Sequence, residues 1–208
     1  MKPRLILASS SRRRRDLVAA AGYRFVVDPP GIDEPAPDAD AAAGAYAAQL
    51  AWRKASEVAR RRGSGLVLAA DTVCAVGGQI LNKPIDRRDA EWMIRLQEGR
   101  DTEVISGICL FRADRQEWIG AIEVSVVRFK PLSDRERAEY LESGRWQRKS
   151  GAYGIQDHDP FVEVTSGSFS NVVGLPMERL ENLLKSYPRL TRGLDTALAS
   201  DRAPGRAI

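Results

Sequence analysis

The chain has 208 residues, with 43% hydrophobic and 29% charged side chains, which is enough for one sizeable core and too apolar for a disordered polymer. Its longest run without Asp, Glu, Lys or Arg covers the 14 residues 164–177, too short and too polar for a membrane helix, and no apolar secretory stretch follows Met1-Lys2-Pro3-Arg4, so a cytoplasmic protein is expected. The formal charge of +4 is uneven: residues 1–28 carry seven cations against two anions and the remainder is close to neutral, which points to an anionic partner near the N-terminus.

Residues 4–8 read as a short buried strand that breaks into Ser9-Ser10-Ser11. A helix over 12–21 follows, with Ser11 as N-cap and Gly22 as stop. Phe25-Val26-Val27 suggests a second strand, and Pro29, Pro30, Pro35 and Pro37 impose a loop carrying Asp33 and Glu34. Residues 41–62 form an amphipathic helix with Tyr46, Leu50, Ala51, Ala55 and Val58 near one face and Arg53, Lys54 and Glu57 around it. The apolar run 66–70 suits a strand buried on both faces and stops at Asp71. Residues 73–76 and 79–81 read as a hairpin turning at Gly77-Gly78 and closing on Lys83-Pro84.

A helix over 87–97 precedes two long alternating segments, 103–112 and 118–129, expected as antiparallel strands joined at Asp114-Arg115-Gln116. Ser133-Asp134-Arg135-Glu136 matches a capping box for a helix ending near Gly144. Residues 151–156 form a glycine-containing loop, 161–164 a strand, and Pro176 opens a last helix with Met177, Leu180, Leu183, Leu184 and Tyr187 on one face. Residues 1–188 are expected to be a single domain and 189–208 a weakly structured tail, in which Leu190, Leu194 and Leu198 allow a short helix. Mixed strands and helices with one long antiparallel pair indicate an α/β (α+β mixed) sheet protein.

The junction of strand, serines, arginines and helix brings backbone N–H groups, hydroxyls and guanidinium forks together, which outlines a phosphate site. A solvated arginine-rich helix start would give the same pattern, although cations oppose the macrodipole there. Asp71, read as the tip of a buried strand, is either a ligand-facing carboxylate or an ordinary turn residue. Convergence favours the first reading: Lys54, Lys83, Glu34 and the Arg13-Arg14 pair all lie at element ends or on helix faces that can surround one cleft. Cations for a polyphosphate together with carboxylates for a divalent ion suit metal-assisted cleavage of a phosphoric anhydride. Cys74 and Cys109 read as buried thiols, and the lone His158 argues against a histidine-ligated zinc.

Several motifs occur in one order: Leu7-Ala8-Ser9-Ser10-Ser11-Arg12-Arg13-Arg14, Ile32-Asp33-Glu34, Arg53-Lys54-Ala55, Ala70-Asp71-Thr72-Val73, Asn82-Lys83-Pro84 and Ser106-Gly107. The Lys149-Ser150-Gly151-Ala152-Tyr153-Gly154-Ile155-Gln156 and Ser170-Asn171-Val172-Val173-Gly174-Leu175-Pro176 segments complete the set. In that order, from about residue 5 to 187, the chain resembles the Maf family of nucleoside triphosphate pyrophosphatases. It departs from the family pattern at Arg12, Asn82, Ser150 and Asp157, none of which removes a charge the chemistry needs.

The resemblance implies an elongated, largely antiparallel twisted mixed sheet flanked by helices, with two lobes around a central cleft, like inosine triphosphate pyrophosphatases. It also implies hydrolysis of a nucleoside triphosphate between the α and β phosphates, with a divalent cation (Mg²⁺ or Mn²⁺), in a homodimer. Asp71 takes the catalytic position, Glu34 and Asp71 the metal, and Ser9, Arg13, Arg14, Lys54 and Lys83 the phosphates. Arg13, Thr72 and Gln156 resemble the branch acting on dTTP and UTP, and a glutamine carboxamide complements the N3–H and O4 of uracil or thymine. Tyr153 reads as packing rather than base stacking. The alternatives are 7-methyl-GTP or non-standard purine triphosphates as substrates, or a protein that binds nucleic acid or inhibits septation. No aromatic residues interleave with Arg12–Arg15, which argues against nucleic acid.

Overall fold

The computed structural model describes residues 2–38, 40–155 and 161–194. Its elements in chain order are β1 (Leu5–Leu7), α1 (Arg12–Ala20), β2 (Phe25–Val27), α2 (Ala43–Arg62), β3 (Leu66–Val76), β4 (Gln79–Leu81) and α3 (Arg87–Gln97). There follow β5 (Asp101–Arg112), β6 (Glu117–Phe129), α4 (Asp134–Glu142), β7 (Val162–Ser166), α5 (Phe169–Val173) and α6 (Met177–Ser186), with single 3-10 turns at Ser150–Ala152 and Pro188–Leu190. The strands form one mixed sheet in the order β2-β1-β3-β5-β6-β7, with β4 paired to β3. β1 runs parallel to β2 and β3, and the β3-β5-β6-β7 part is antiparallel, so the expected mixed and largely antiparallel sheet is present.

One strand differs from the sequence reading. β3 does not stop before Asp71 but continues through it to Val76. β1 covers only Leu66–Leu68, whereas β5 pairs with β3 from Leu66 to Ala75, with Asp71 opposite Gly107. A twelve-residue partner keeps the backbone of residues 71–75 paired after β1 has ended, and Val76 pairs with Gln79 of β4. Asp71 therefore lies just past the end of β1, where the sheet opens, and not at a strand tip.

α2 lies across β3 and β5 with Ala47, Leu50, Ala51, Ala55 and Val58 buried beneath it. Its close approach depends on Gly107, because a Cβ there would sit 2.3 Å from the Ala47 carbonyl oxygen. Leu5, Leu7, Leu66, Leu68 and Leu110 pack with Leu180 and Leu183 of α6, while Leu81, Ile94, Phe129, Tyr140 and Trp146 form a second core around α3 and α4. The second of these cores forms one wall of the cavity described below. Packing continues past residue 188: Leu190 is buried, and the Arg112 guanidinium donates to the carbonyls of Leu190 and Arg192 at 3.0 and 3.2 Å. Leu198 lies outside the described residues. No helix among the described residues is long and apolar enough to cross a membrane.

Candidate active site

A cavity of about 530 Å³ is lined by Ser9, Arg13, Arg14, Glu34, Lys54, Asp71, Thr72 and Lys83, so eight of the nine residues singled out from the sequence meet there. The ninth, Gln156, lies outside the described residues. The β1-to-α1 turn forms one wall. Ser11 caps α1 by accepting from the Arg14 backbone N–H at 3.4 Å, and the buried Ser9 Oγ accepts from the Ser11 N–H at 3.1 Å. Ser9 thereby keeps its hydroxyl proton to donate into the cavity. Arg13 and Arg14 are half-buried while Arg12 and Arg15 are exposed.

Opposite that turn, one ammonium joins two carboxylates. Lys54 Nζ lies 2.5 Å from Asp71 Oδ1 and 2.7 Å from Glu34 Oε1, and Lys83 Nζ reaches Glu34 Oε2 at 3.5 Å. The sequence placed Lys54 beside the apolar face of α2, but it lies on that face and is only 5% exposed. An ammonium this buried is tolerated because both carboxylates approach it. Burial raises the Glu34 pKa, but hydrogen bonds and charge from Lys54 and Lys83 outweigh it and hold the carboxyl below its ordinary value. No hydrogen bond reaches Asp71 Oδ2 among the described residues, so that oxygen is available to a water.

Arg14 is held from behind. Its Nε donates to the Gly174 carbonyl at 2.8 Å and its Nη2 to Thr72 Oγ1 at 3.3 Å. Thr72 Oγ1 also lies 2.8 Å from Ser106 Oγ and 3.2 Å from the Gly174 oxygen. Burial lowers the Arg14 pKa and the neighbouring Arg13 adds to this, while the charges of Asp71 and Glu34 oppose it. Gly174 follows α5, which Asn171 pins to the sheet by donating from Nδ2 to the Val104 carbonyl at 2.9 Å and to Ser125 Oγ at 3.0 Å. Ser150 Oγ donates to the Thr72 carbonyl at 3.0 Å, and the Gly151 N–H donates to the Asn82 carbonyl at 3.1 Å. Of the departures from the family pattern, Ser150 thus ties the glycine loop to β3 through its side chain, whereas Asn82 contributes a backbone carbonyl that any residue would supply.

Arg148 and Gln97 were not singled out from the sequence, and Ser106 was named there only within the Ser106-Gly107 motif. Ser106 supports Thr72 from the neighbouring strand, a pairing set by sheet register. Arg148 lines the cavity at φ +59°, and Gln97 lines it from the end of α3. Cys109 is buried as expected, whereas Cys74 is only half-buried and lines the cavity, with its pKa pushed up to about 12 by burial against the opposing charge of Arg13. Tyr153 packs edge-on to Phe129 with ring centroids 5.3 Å apart, which agrees with a packing role.

A profile of the Maf-like protein family matches residues 4–187, a span that contains every motif above. The chain belongs to the Maf-like family. Among relatives of this Maf-like chain, a protein of Rhodopirellula baltica named dTTP/UTP pyrophosphatase is 42% identical over 201 residues, covering 92% of this chain and 86% of the relative. A protein of the same name from Symbiobacterium thermophilum is 44% identical over 192 residues, covering 91% and 97%. A HAM1 protein structure from Coxiella burnetii superposes with a TM-score of 0.49 at 15% identity, covering 89% of this chain and 100% of that one.

Proposed function

We propose that this Maf-like protein hydrolyses dTTP and UTP between the α and β phosphates, giving a nucleoside monophosphate and pyrophosphate, and so clears nucleotides from the pool. The observation that carries this reading is the Glu34–Lys54–Asp71 cluster facing the Ser9–Arg14 turn across one cavity. Arg13, Arg14 and Lys83 supply positive charge for a triphosphate, with the α1 N-terminus behind them. Asp71 Oδ2 can accept a proton from a water that attacks the α-phosphorus, while Lys54 holds Oδ1 and fixes the carboxylate plane. Ser9 donates its hydroxyl proton to a phosphate oxygen.

Glu34 and Asp71 offer hard oxygen donors of the kind that Mg²⁺ or Mn²⁺ prefers. Among the described residues no group of three or more His, Cys, Asp or Glu side chains is arranged for a metal, which fits an ion held by two carboxylates and the substrate's own phosphates. When bound, such an ion neutralises charge developing on the phosphoryl oxygens. Chelation of divalent cations is therefore expected to stop pyrophosphate release and leave the fold unchanged.

Asp71→Asn is the deciding variant: it is expected to abolish pyrophosphate release while circular dichroism and melting stay near wild type, and near-normal turnover would defeat the assignment. A panel with Mg²⁺ or Mn²⁺ is expected to rank dTTP and UTP above GTP and 7-methyl-GTP. The reverse order would move the substrate to another branch of the family.

A further inference from the structure

The cavity wall built from the α3-side core is formed by Val104, Val127, Phe129 and Val172. Gln97, the last residue of α3, lines the same cavity and is 1% exposed. Its Nε2 donates to the Met93 carbonyl at 2.9 Å and to the Gly151 carbonyl at 2.7 Å, so both amide hydrogens are engaged. The opposite flip would set Oε1 against two carbonyl oxygens, which fixes the orientation.

Oε1 accepts no hydrogen bond from any described residue. The nearby Cys74 thiol donates elsewhere, to the Ser150 carbonyl at 3.4 Å. Gly151, at φ +68°, is the loop residue beside this oxygen, and a Cβ there would lie 3.1 Å from both Oε1 and Cys74 Sγ. The oxygen opens onto the cavity, where a bound group can donate to it.

We propose that Gln97 Oε1, in place of the Gln156 carboxamide, accepts the imide N3–H of uracil or thymine, which makes Gln97 a specificity-determining residue of the site. This rests on the cavity being the nucleotide site, as argued above. An acceptor fixed by two backbone carbonyls cannot turn to offer a donor. Cytosine has the same outline but a lone pair at N3, and that lone pair would face Oε1 directly. The base carbonyls are left to donors elsewhere in the site.

The test is kcat/KM for pyrophosphate release from UTP and CTP in the wild type and in Gln97→Met. The wild type is expected to favour UTP by about tenfold or more, and the variant by no more than about threefold, because its thioether neither accepts from N3–H nor repels the cytosine lone pair strongly. A purely structural glutamine would depress both substrates alike, and an unchanged UTP:CTP ratio in the variant overturns the proposal. Should the variant not fold, the wild type decides with N3-methyl-UTP, expected to be about tenfold or more poorer than UTP; equal turnover overturns the proposal. Release of no pyrophosphate from any triphosphate would defeat the enzyme reading itself, whereas release from UTP and CTP at equal efficiency by the wild type defeats the Gln97 assignment alone.

Discussion

Lys54 holds two carboxylates that would otherwise face each other across the cleft, so its removal changes the charge balance of the site more than its shape. Lys54→Met is expected to lower kcat/KM by about a hundredfold or more, the usual consequence of losing a preorganised charge at a phosphoryl site. The same variant tests the electrostatics of Glu34. In the wild type Glu34 is held below its ordinary pKa, so its ionised form stabilises the fold in full above the unfolded carboxylate value of about 4.3 and loses that effect as pH falls through the lower folded value. Without Lys54, burial is opposed by Lys83 alone, and a ¹³C titration of the Glu34 carboxyl should move to higher pH. An unmoved titration would mean that the Lys54 contact does not set the charge of Glu34. Arg148 offers a different test, since it is exposed, lines the cavity and makes no hydrogen bond or ion pair with a described residue. A cation in that place adds exposed charge for a triphosphate, and Arg148→Ala is expected to raise KM for UTP about fivefold with kcat and melting temperature unchanged. A fall in kcat with KM unchanged would exclude ground-state binding as its role.

The relation between α2 and β5 decides whether Lys54 reaches Asp71 at all. Gly107 lets the backbone of α2 touch the sheet at Ala47, and Lys54 follows two turns later on the same buried face. Gly107→Ala is expected to push the helix outward, to cost about 1–3 kcal/mol of stability by urea midpoint, and to reduce activity under conditions where the protein remains folded. Unchanged stability would mean that the contact relaxes without moving the helix. Elements of this kind were legible in the sequence to the extent that their signals are local. The Ser133–Glu136 capping box is carried by two residues within one helical turn. The unbroken run of β3 through Asp71 was not legible, because it depends on hydrogen bonds from β5, more than 30 residues away. α5 was missed as well: five residues are too few to show a helical period, and its place is fixed by the bonds of Asn171 to Val104 and Ser125. Lys54 read as flanking the apolar face because nothing nearby in sequence announces the two carboxylates that let an ammonium be buried. For Arg148 and Gln97 the decisive properties, a left-handed backbone and a fixed amide orientation, come from tertiary contacts.

Over the whole molecule, the charge that first suggested any polyanion is divided into separate uses. Arg12 pairs with Asp16 at 3.9 Å, and both Arg61 and Arg62, at the end of α2, bond to Asp28. The arginine-rich ends of α1 and α2 therefore do not add up to one continuous stripe. What remains concentrated is the charge inside the cleft, where Arg13, Arg14, Lys54 and Lys83 meet a site too small for a duplex and suited to a single triphosphate. Linkage makes this distinction measurable. An α,β-methylene analogue of UTP at about 100 times its Kd, with Mg²⁺, is expected to add about 2.7 kcal/mol to the unfolding free energy, because it binds the folded cleft and not the unfolded chain. A single-stranded oligonucleotide at the same phosphate concentration, in about 0.15 M salt, should leave the urea midpoint unchanged, since screening over about 8 Å removes most of the attraction to dispersed surface arginines. Equal stabilisation by the oligonucleotide would mean that the exposed arginines act together after all, and would reopen nucleic acid as a partner.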